Sequence, residues 1–115
     1  MIKLARKRND LFIRKGLIDL VQKEFLKFEA NKLYVKIVAF NVNVFLKGNK
    51  KVTEPIKKLT KRDGRIYIFY QAPYELSMSS IKQIIRNISD CNFKIVETVF
   101  KKLNPTSAIC IIASL

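Results

Sequence analysis

The residues best placed to do chemistry in this chain are cations. Lys50, Lys51, Lys57, Lys58, Lys61, Arg62 and Arg65 crowd one connection that runs straight into the aromatic segment IYIFYQ. Side chains of this kind at fixed positions make charge-assisted contacts to phosphate, so the chemistry they suggest is binding, not bond making. Histidine is absent. No carboxylate pair, nucleophile with a neighbouring base or metal-ligand spacing stands out, and the sequence leads to the expectation of no catalytic residue, no metal and no cofactor. Charge points the same way. Against 9 acidic residues stand 23 Lys and Arg, a formal net charge of +14 on 115 residues. Such an excess repels itself unless an anionic partner neutralises it, and the usual partners are nucleic acid or an acidic membrane surface.

The aromatic segment adds a second candidate contact. Tyr67 and Phe69 share a strand face with Arg65, the arrangement by which single-stranded RNA platforms stack bases. The alternative for the same pair is an ordinary place in a core or a partner interface. Tyr70, on the opposite face with Ile66 and Ile68, reads as packed under helices.

The elements that would hold these residues follow from periodicity. Ile18, Val21, Phe25 and Phe28 recur at helical spacing within residues 17–28 (LIDLVQKEFLKF), and Gly16 favours a break before them. Residues 10–15 (DLFIRK) read either as a strand or as an early helical turn. Residues 33–46 (LYVKIVAFNVNVFL) are rich in β-branched and aromatic side chains and read as a strand with an uncertain start. Gly48 and Asn49 mark a bend, the basic connection follows, and Asp63 with Gly64 makes a turn. A strong strand covers residues 65–72 (RIYIFYQA), closed by Pro73. Ser80 with Gln83 is a capping-box pattern opening a second helix whose stripe is Ile81, Ile84, Ile85 and Ile88. Residues 93–100 (FKIVETVF) read as the last strand, with Phe93, Ile95 and Val99 on one face and Lys94, Val96, Thr98 and Phe100 on the other.

If residues 11–15 supply a first strand, the order is strand, helix, strand, strand, helix, strand. That is an α+β fold of the ferredoxin-like, split βαβ kind (β1-α1-β2-β3-α2-β4), an antiparallel four-stranded sheet with two helices on one face. The implied division is a basic amino-terminal arm over 1–9, a domain over 10–102 and an apolar carboxyl-terminal extension over 103–115. The arm (MIKLARKRN) reads as a weak organellar leader or as a basic contact to RNA. The extension either folds back on its own sheet or docks on a neighbour. No apolar run approaches the length that crosses a bilayer, so no membrane partner is expected. Cys91 and Cys110 read as reduced packing thiols.

The stretch from Gly48 through Pro73 resembles the bacterial-type small-subunit ribosomal protein six family. The resemblance lies in a glycine (Gly48), a basic pair (Lys50, Lys51), an apolar step (Val52), Pro55 with Ile56, Lys57 with Lys58, a second glycine (Gly64) and the aromatic strand after it. It implies a structural, non-enzymatic role: binding small-subunit ribosomal RNA through the basic patch and pairing with ribosomal protein eighteen and other ribosomal proteins, with no small-molecule substrate. A bias toward Lys, Ile, Asn and Phe suggests an AT-rich genome and hence a mitochondrial ribosome, with plastid or bacterial ribosomes as alternatives. An RNA-recognition motif outside the ribosome is the second reading, because RDGRIYIFY partly echoes that family's signature on the same fold.

Overall fold

A computed structural model describes residues 2–23, 27–29, 32–42, 50–73 and 75–115, with the stretch 50–52 as backbone only. Two short helices, α1 (Ile2–Arg8) and α2 (Asp10–Arg14), lead into β1 (Tyr34–Phe40). Helix α3 (Lys50–Leu59) then precedes β2 (Thr60–Tyr70), α4 (Met78–Asp90), β3 (Lys94–Lys101) and β4 (Ala108–Ser114). The four strands form one sheet in the order β1-β2-β4-β3. β1 and β2 run parallel, with Ile37 beside Ile66 and Phe40 beside Phe69. β4 is antiparallel to both its neighbours, pairing Ile111 with Ile68 on one side and Thr98 on the other.

The antiparallel ferredoxin-like sheet expected from the sequence is therefore incorrect, and the cause is local. The basic connection is a helix, and a helix between two strands lets them run parallel where a tight turn would force them antiparallel. Within α3, Thr53 and Ile56 are buried while Glu54 and Lys58 are exposed, a one-sided pattern obscured by the lysines and by Pro55 in the helix interior. Residues 10–14 are α2 and not a first strand, with an Arg14 to Asp10 ion pair across one turn. Of the helix expected over 17–28, residues 18–22 carry no regular structure and Val21 is exposed, while Phe25 and its neighbours 24 and 26 lie outside the described residues. Gly16, at φ 70°, closes α2 in a conformation that favours glycine. The basic arm over 2–8 is α1, whose Arg6 donates to the Leu20 carbonyl at 3.3 Å. The portion of the strand reading over 43–49 lies outside the described residues.

Three further boundaries move. Asp63 and Gly64 lie inside β2 and make no hairpin turn, because the ladder slips there: Tyr34 pairs with Thr60 but Lys36 with Arg65. Gly64 is buried at this irregularity, and a Cβ on it would meet the Lys61 carbonyl at 2.9 Å and the Tyr34 carbonyl at 3.0 Å. Backbone atoms cannot swing aside, so Gly64→Ala is expected to lower stability by about 1–3 kcal/mol in a thermal melt. Helix α4 is capped by Ser77, whose side chain accepts from the Ser80 amide at 3.2 Å, one turn before the expected box. Its other end closes on Asn92 at φ 65°, with the Asn92 amide donating to Ser89. In β3 the register shifts between Ile95 and Glu97, so Ile95, Thr98 and Phe100 share a face and the expected alternation is broken.

The core lies on one side of the sheet. Ile66, Ile68 and Tyr70 of β2 and Ile109, Ile111 and Ala113 of β4 meet Ile81, Ile84 and Ile88 of α4, with Ile56, Cys91 and Phe93 closing the cluster. A buried isoleucine contributes about 1.5–3 kcal/mol of transfer free energy, and these two adjacent strands supply half of the cluster. The carboxyl-terminal residues read as an extension are thus the central strand β4. The opposite face carries Val38, Phe40, Tyr67, Phe69, Cys110 and Ile112, with Val38 64% and Phe40 60% exposed.

Candidate functional site

In open sheets with parallel strands, ligands bind beyond the carboxyl ends of those strands, where the loops are free to differ. Here that rim begins at Asn41 and at Gln71, the residues directly after β1 and β2. Asn41 sits at φ 52°, a left-handed conformation that asparagine tolerates better than most residues. Its amide donates to the Phe69 carbonyl at 2.8 Å. The side chain then bridges to Gln71, accepting from the Gln71 amide at 2.9 Å and donating to the Gln71 carbonyl at 3.2 Å. The two parallel strands are thus tied together just past their ends.

A second set of bonds ties this pair to the turn before β4. Gln71 Nε2 donates to the Thr106 carbonyl at 2.9 Å, and Thr106 Oγ1 donates to the Ala72 carbonyl. Glu75 accepts from the Ser107 amide at 2.8 Å, and the Tyr70 hydroxyl donates to the Val42 carbonyl. Thr106 and Ser107 are buried, and these partners satisfy them. The result is a braced polar rim. Among the described residues no group of Cys, Asp and Glu side chains is arranged to hold a metal. The rim can position and hydrogen-bond a ligand, but it shows no paired nucleophile and base.

Asn41 is the residue that decides the geometry, and it gives a clean comparison. Asn41→Ala removes both bonds to Gln71 and leaves a Cβ at positive φ, a combined cost of about 1–3 kcal/mol. Asn41→Gly loses the same bonds but relieves the conformation. Chemical denaturation is expected to rank the glycine variant between wild type and the alanine variant; the reverse ranking would mean that φ does not matter here.

The cations singled out from the sequence lie elsewhere. Lys58, Lys61 and Arg62 are exposed about the α3–β2 junction, at the amino end of β2 and so at the opposite end of the sheet from the rim. Lys57 is drawn inward: its Nζ lies 3.6 Å from Glu54 and 5.1 Å from the centre of the Phe93 ring. Arg65 is half-buried on the open face of the sheet and donates to the Gly64 carbonyl. Tyr67 and Phe69 are half-buried on that face too, with Phe40 and Phe69 ring centres 6.3 Å apart. The side chains of Lys50 and Lys51 lie outside the described residues. Lys58, Lys61 and Arg62 are all exposed near the α3–β2 junction, whereas Lys57 lies against the core residue Phe93 and Arg65 on the open face. The rim residues Asn41, Gln71, Glu75 and Thr106 were not apparent from the sequence, since what gathers them is a parallel pairing between segments separated by α3.

Cys91 is buried in the core and Cys110 is half-buried on the open face. Burial pushes the Cys110 thiol above its ordinary range, and the Glu97 carboxylate on the neighbouring strand adds to the shift.

No protein-family model and no curated protein sequence matches the chain. Solved structures do match. Magnesium protoporphyrin IX methyltransferase from Synechocystis PCC 6803, solved with bound SAM, covers 98% of this chain at a TM-score of 0.65 and 14% identity, over 53% of its own length. The N-methyltransferase NodS from Bradyrhizobium japonicum WM9 covers 98% at 0.65 and 12% identity, over 68% of its length. An S-adenosylmethionine-dependent methyltransferase from Clostridium acetobutylicum covers all of the chain at 0.64 and 9% identity, over 72% of its length. Against the magnesium protoporphyrin IX methyltransferase the chain thus spans about half of that enzyme's length.

At such identities the likeness fixes the fold: a methyltransferase-like α/β sheet. It overturns the ribosomal protein six resemblance, which shared the basic stretch and the aromatic strand but not the strand order. The expectations hung on that resemblance fall with it, namely a non-enzymatic ribosomal scaffold, ribosomal RNA and protein partners, and no small-molecule substrate. The similar structures are enzymes, and the first was solved with SAM bound. The RNA-recognition-motif reading fails for the same reason, since that motif also needs the antiparallel ferredoxin-like sheet.

Proposed function

We propose that the chain forms one half of an S-adenosylmethionine-dependent methyltransferase domain and supplies the rim on the acceptor side of its ligand crevice. The observation that carries this reading is the strand order β1-β2-β4-β3, with one parallel pair and an antiparallel strand inserted beside it, matched over 98% of the chain. In such enzymes the cofactor carries the reactive group, and the protein binds, orients and excludes water. A rim without a nucleophile and base suits that division of labour. The formal net charge of +14 favours an anionic acceptor.

The described residues do not fit the cofactor on their own. Nucleoside cofactors in doubly wound sheets rest on a glycine-rich turn between a strand's carboxyl end and the following helix. Gly16 and Gly64 are the described glycines. Gly16 follows a short helix and has nothing within 4 Å of where a Cβ would stand, and Gly64 lies inside β2. No step is therefore assigned to this chain alone.

The test is calorimetry with S-adenosylhomocysteine, together with transfer of labelled methyl from S-adenosylmethionine in extract of the native source. The isolated chain is expected to give no binding heat. The assembly purified from its source with its bound polypeptides is expected to bind, and Asn41→Ala is expected to raise the KM for the acceptor. A complete sheet that neither binds nor transfers would overturn the reading.

A further inference from the structure

Residues 2–15 hold large apolar side chains and cations together on the surface. α1 and α2 are close to one continuous helix interrupted at Asn9, since the Asn9 amide donates to the Ala5 carbonyl at 3.1 Å and the Ile13 amide to the Asn9 carbonyl at 3.0 Å. Along it Ile2, Ala5, Asn9 and Ile13 recur at helical spacing and are half-buried. That face is turned to the chain, where Arg6 donates to the Leu20 carbonyl and Ile2 lines a cavity with Leu20. Leu4 and Leu11, two turns apart, stand on the opposite face at 51% and 58% exposure, and neither helix buries a residue. Phe12 is exposed as well. In the turn at Gly16 the Leu17 amide donates to the Phe12 carbonyl at 2.9 Å, which brings the exposed Leu17 back to that end of the helix. Lys7, Arg8 and Lys15 are exposed beside Leu4 and Leu11 on the outward face. With Lys3, Arg6 and Arg14 they face a single acid, Asp10, which Arg14 already pairs.

We infer that this arm docks on the surface of an anionic phospholipid bilayer, with Leu4, Leu11, Phe12 and Leu17 in the boundary between headgroups and acyl chains and Lys7, Arg8 and Lys15 against lipid phosphates. The mixture of side chains selects this occupant. RNA would neutralise the cations but leave the leucines in water. A protein groove reads apolar anchors at i, i+3 or i+4, and i+7, and here the positions between Leu4 and Leu11 are Lys7 and Arg8. A bilayer boundary accepts both kinds at once, because long basic side chains lay their stems along hydrocarbon and lift their charges to the headgroups. Among the described residues no helix is long and apolar enough to cross a membrane, so the arm lies on the surface. The expectation of no membrane partner rested on the length of apolar runs, which tests spanning and not surface docking. Docking of this kind requires nothing of the methyltransferase site.

The test is flotation of the full chain with vesicles of phosphatidylcholine containing phosphatidylglycerol, and with vesicles of phosphatidylcholine alone. The chain is expected to float with the first and not with the second. Leu4→Ser with Leu11→Ser should weaken binding about tenfold at an unchanged melting temperature, since neither side chain is buried. Lys7→Gln, Arg8→Gln and Lys15→Gln together should weaken it about a hundredfold, at roughly fivefold for each charge. The same loss of charge at Lys58, Lys61 and Arg62, exposed near the α3–β2 junction, should leave most of the binding in place. The chain has no tryptophan, so Phe12→Trp supplies a single reporter. Its emission should move to shorter wavelength on anionic vesicles and be quenched by brominated acyl chains. Binding insensitive to the two leucines, equal losses from the two sets of cations, or tryptophan emission unmoved in the bound chain would each show adsorption by net charge alone and overturn the proposal. A chain that floats with neither vesicle would overturn it too, and retardation of poly-uridine RNA by that chain would assign the arm to RNA instead.

Discussion

A chain ending at Leu103 is expected to show no cooperative unfolding transition. β4 lies between β2 and β3, pairing residues 109–113 with 66–70 on one side and 108–114 with 94–101 on the other. Its removal takes Ile109, Ile111 and Ala113 out of the core and separates β3 from the rest of the sheet. Large-to-small changes at buried isoleucines cost about 2–5 kcal/mol each. Losing two such residues together with both ladders removes an amount comparable to the 5–15 kcal/mol that typically separates folded from unfolded domains. Circular dichroism on heating should give a sloping baseline where the full chain gives a sigmoid. A truncated chain that still melts cooperatively within a few degrees of the full one would mean that β4 is an ornament on a sheet that stands without it.

The sequence made β4's composition plain but left its role open. Residues 108–113 read as apolar and in need of burial, and burial is what they find; whether on their own sheet or on a neighbour could not be told, because both satisfy the same hydrophobic demand. β2 and α4 were legible for a simpler reason. The alternation of Ile66, Ile68 and Tyr70 and the stripe of Ile81, Ile84 and Ile88 are each set by one buried face, and a one-sided burial writes its period into the residues. The helix α3 was hidden because its sequence is rich in lysine and its interior holds Pro55, so a charged connection and an amphipathic helix look alike. That misreading reversed the direction of one strand pair and, with α2 taken for a strand and β4 for an extension, changed the fold class. The rim was illegible for a different reason: Asn41, Gln71 and Thr106 are brought together by pairings separated by some thirty residues, |i−j| of 30 and 35. The band on the open face was the least legible. Val38, Phe40, Tyr67 and Ile112 alternate with core residues, and a strand buried on both faces and one buried on a single face with apolar residues on the other carry the same letters.

That ambiguity becomes measurable in Ile111 and Ile112, two isoleucines on successive positions of the same strand and opposite faces of the sheet. Ile111 has no exposed surface and stands between Ile68 and Thr98 against the helix-covered core. Ile111→Ala is expected to cost about 2–5 kcal/mol in urea unfolding of the isolated chain, with Ile111→Val losing about 0.5–1.5 kcal/mol. Ile112 is half-buried beside Tyr67 on the open face, so less apolar contact vanishes with its side chain, and Ile112→Ala should cost clearly less than Ile111→Ala in the isolated chain. Equal costs in the isolated chain would mean that the open face is packed as tightly as the helix-covered one.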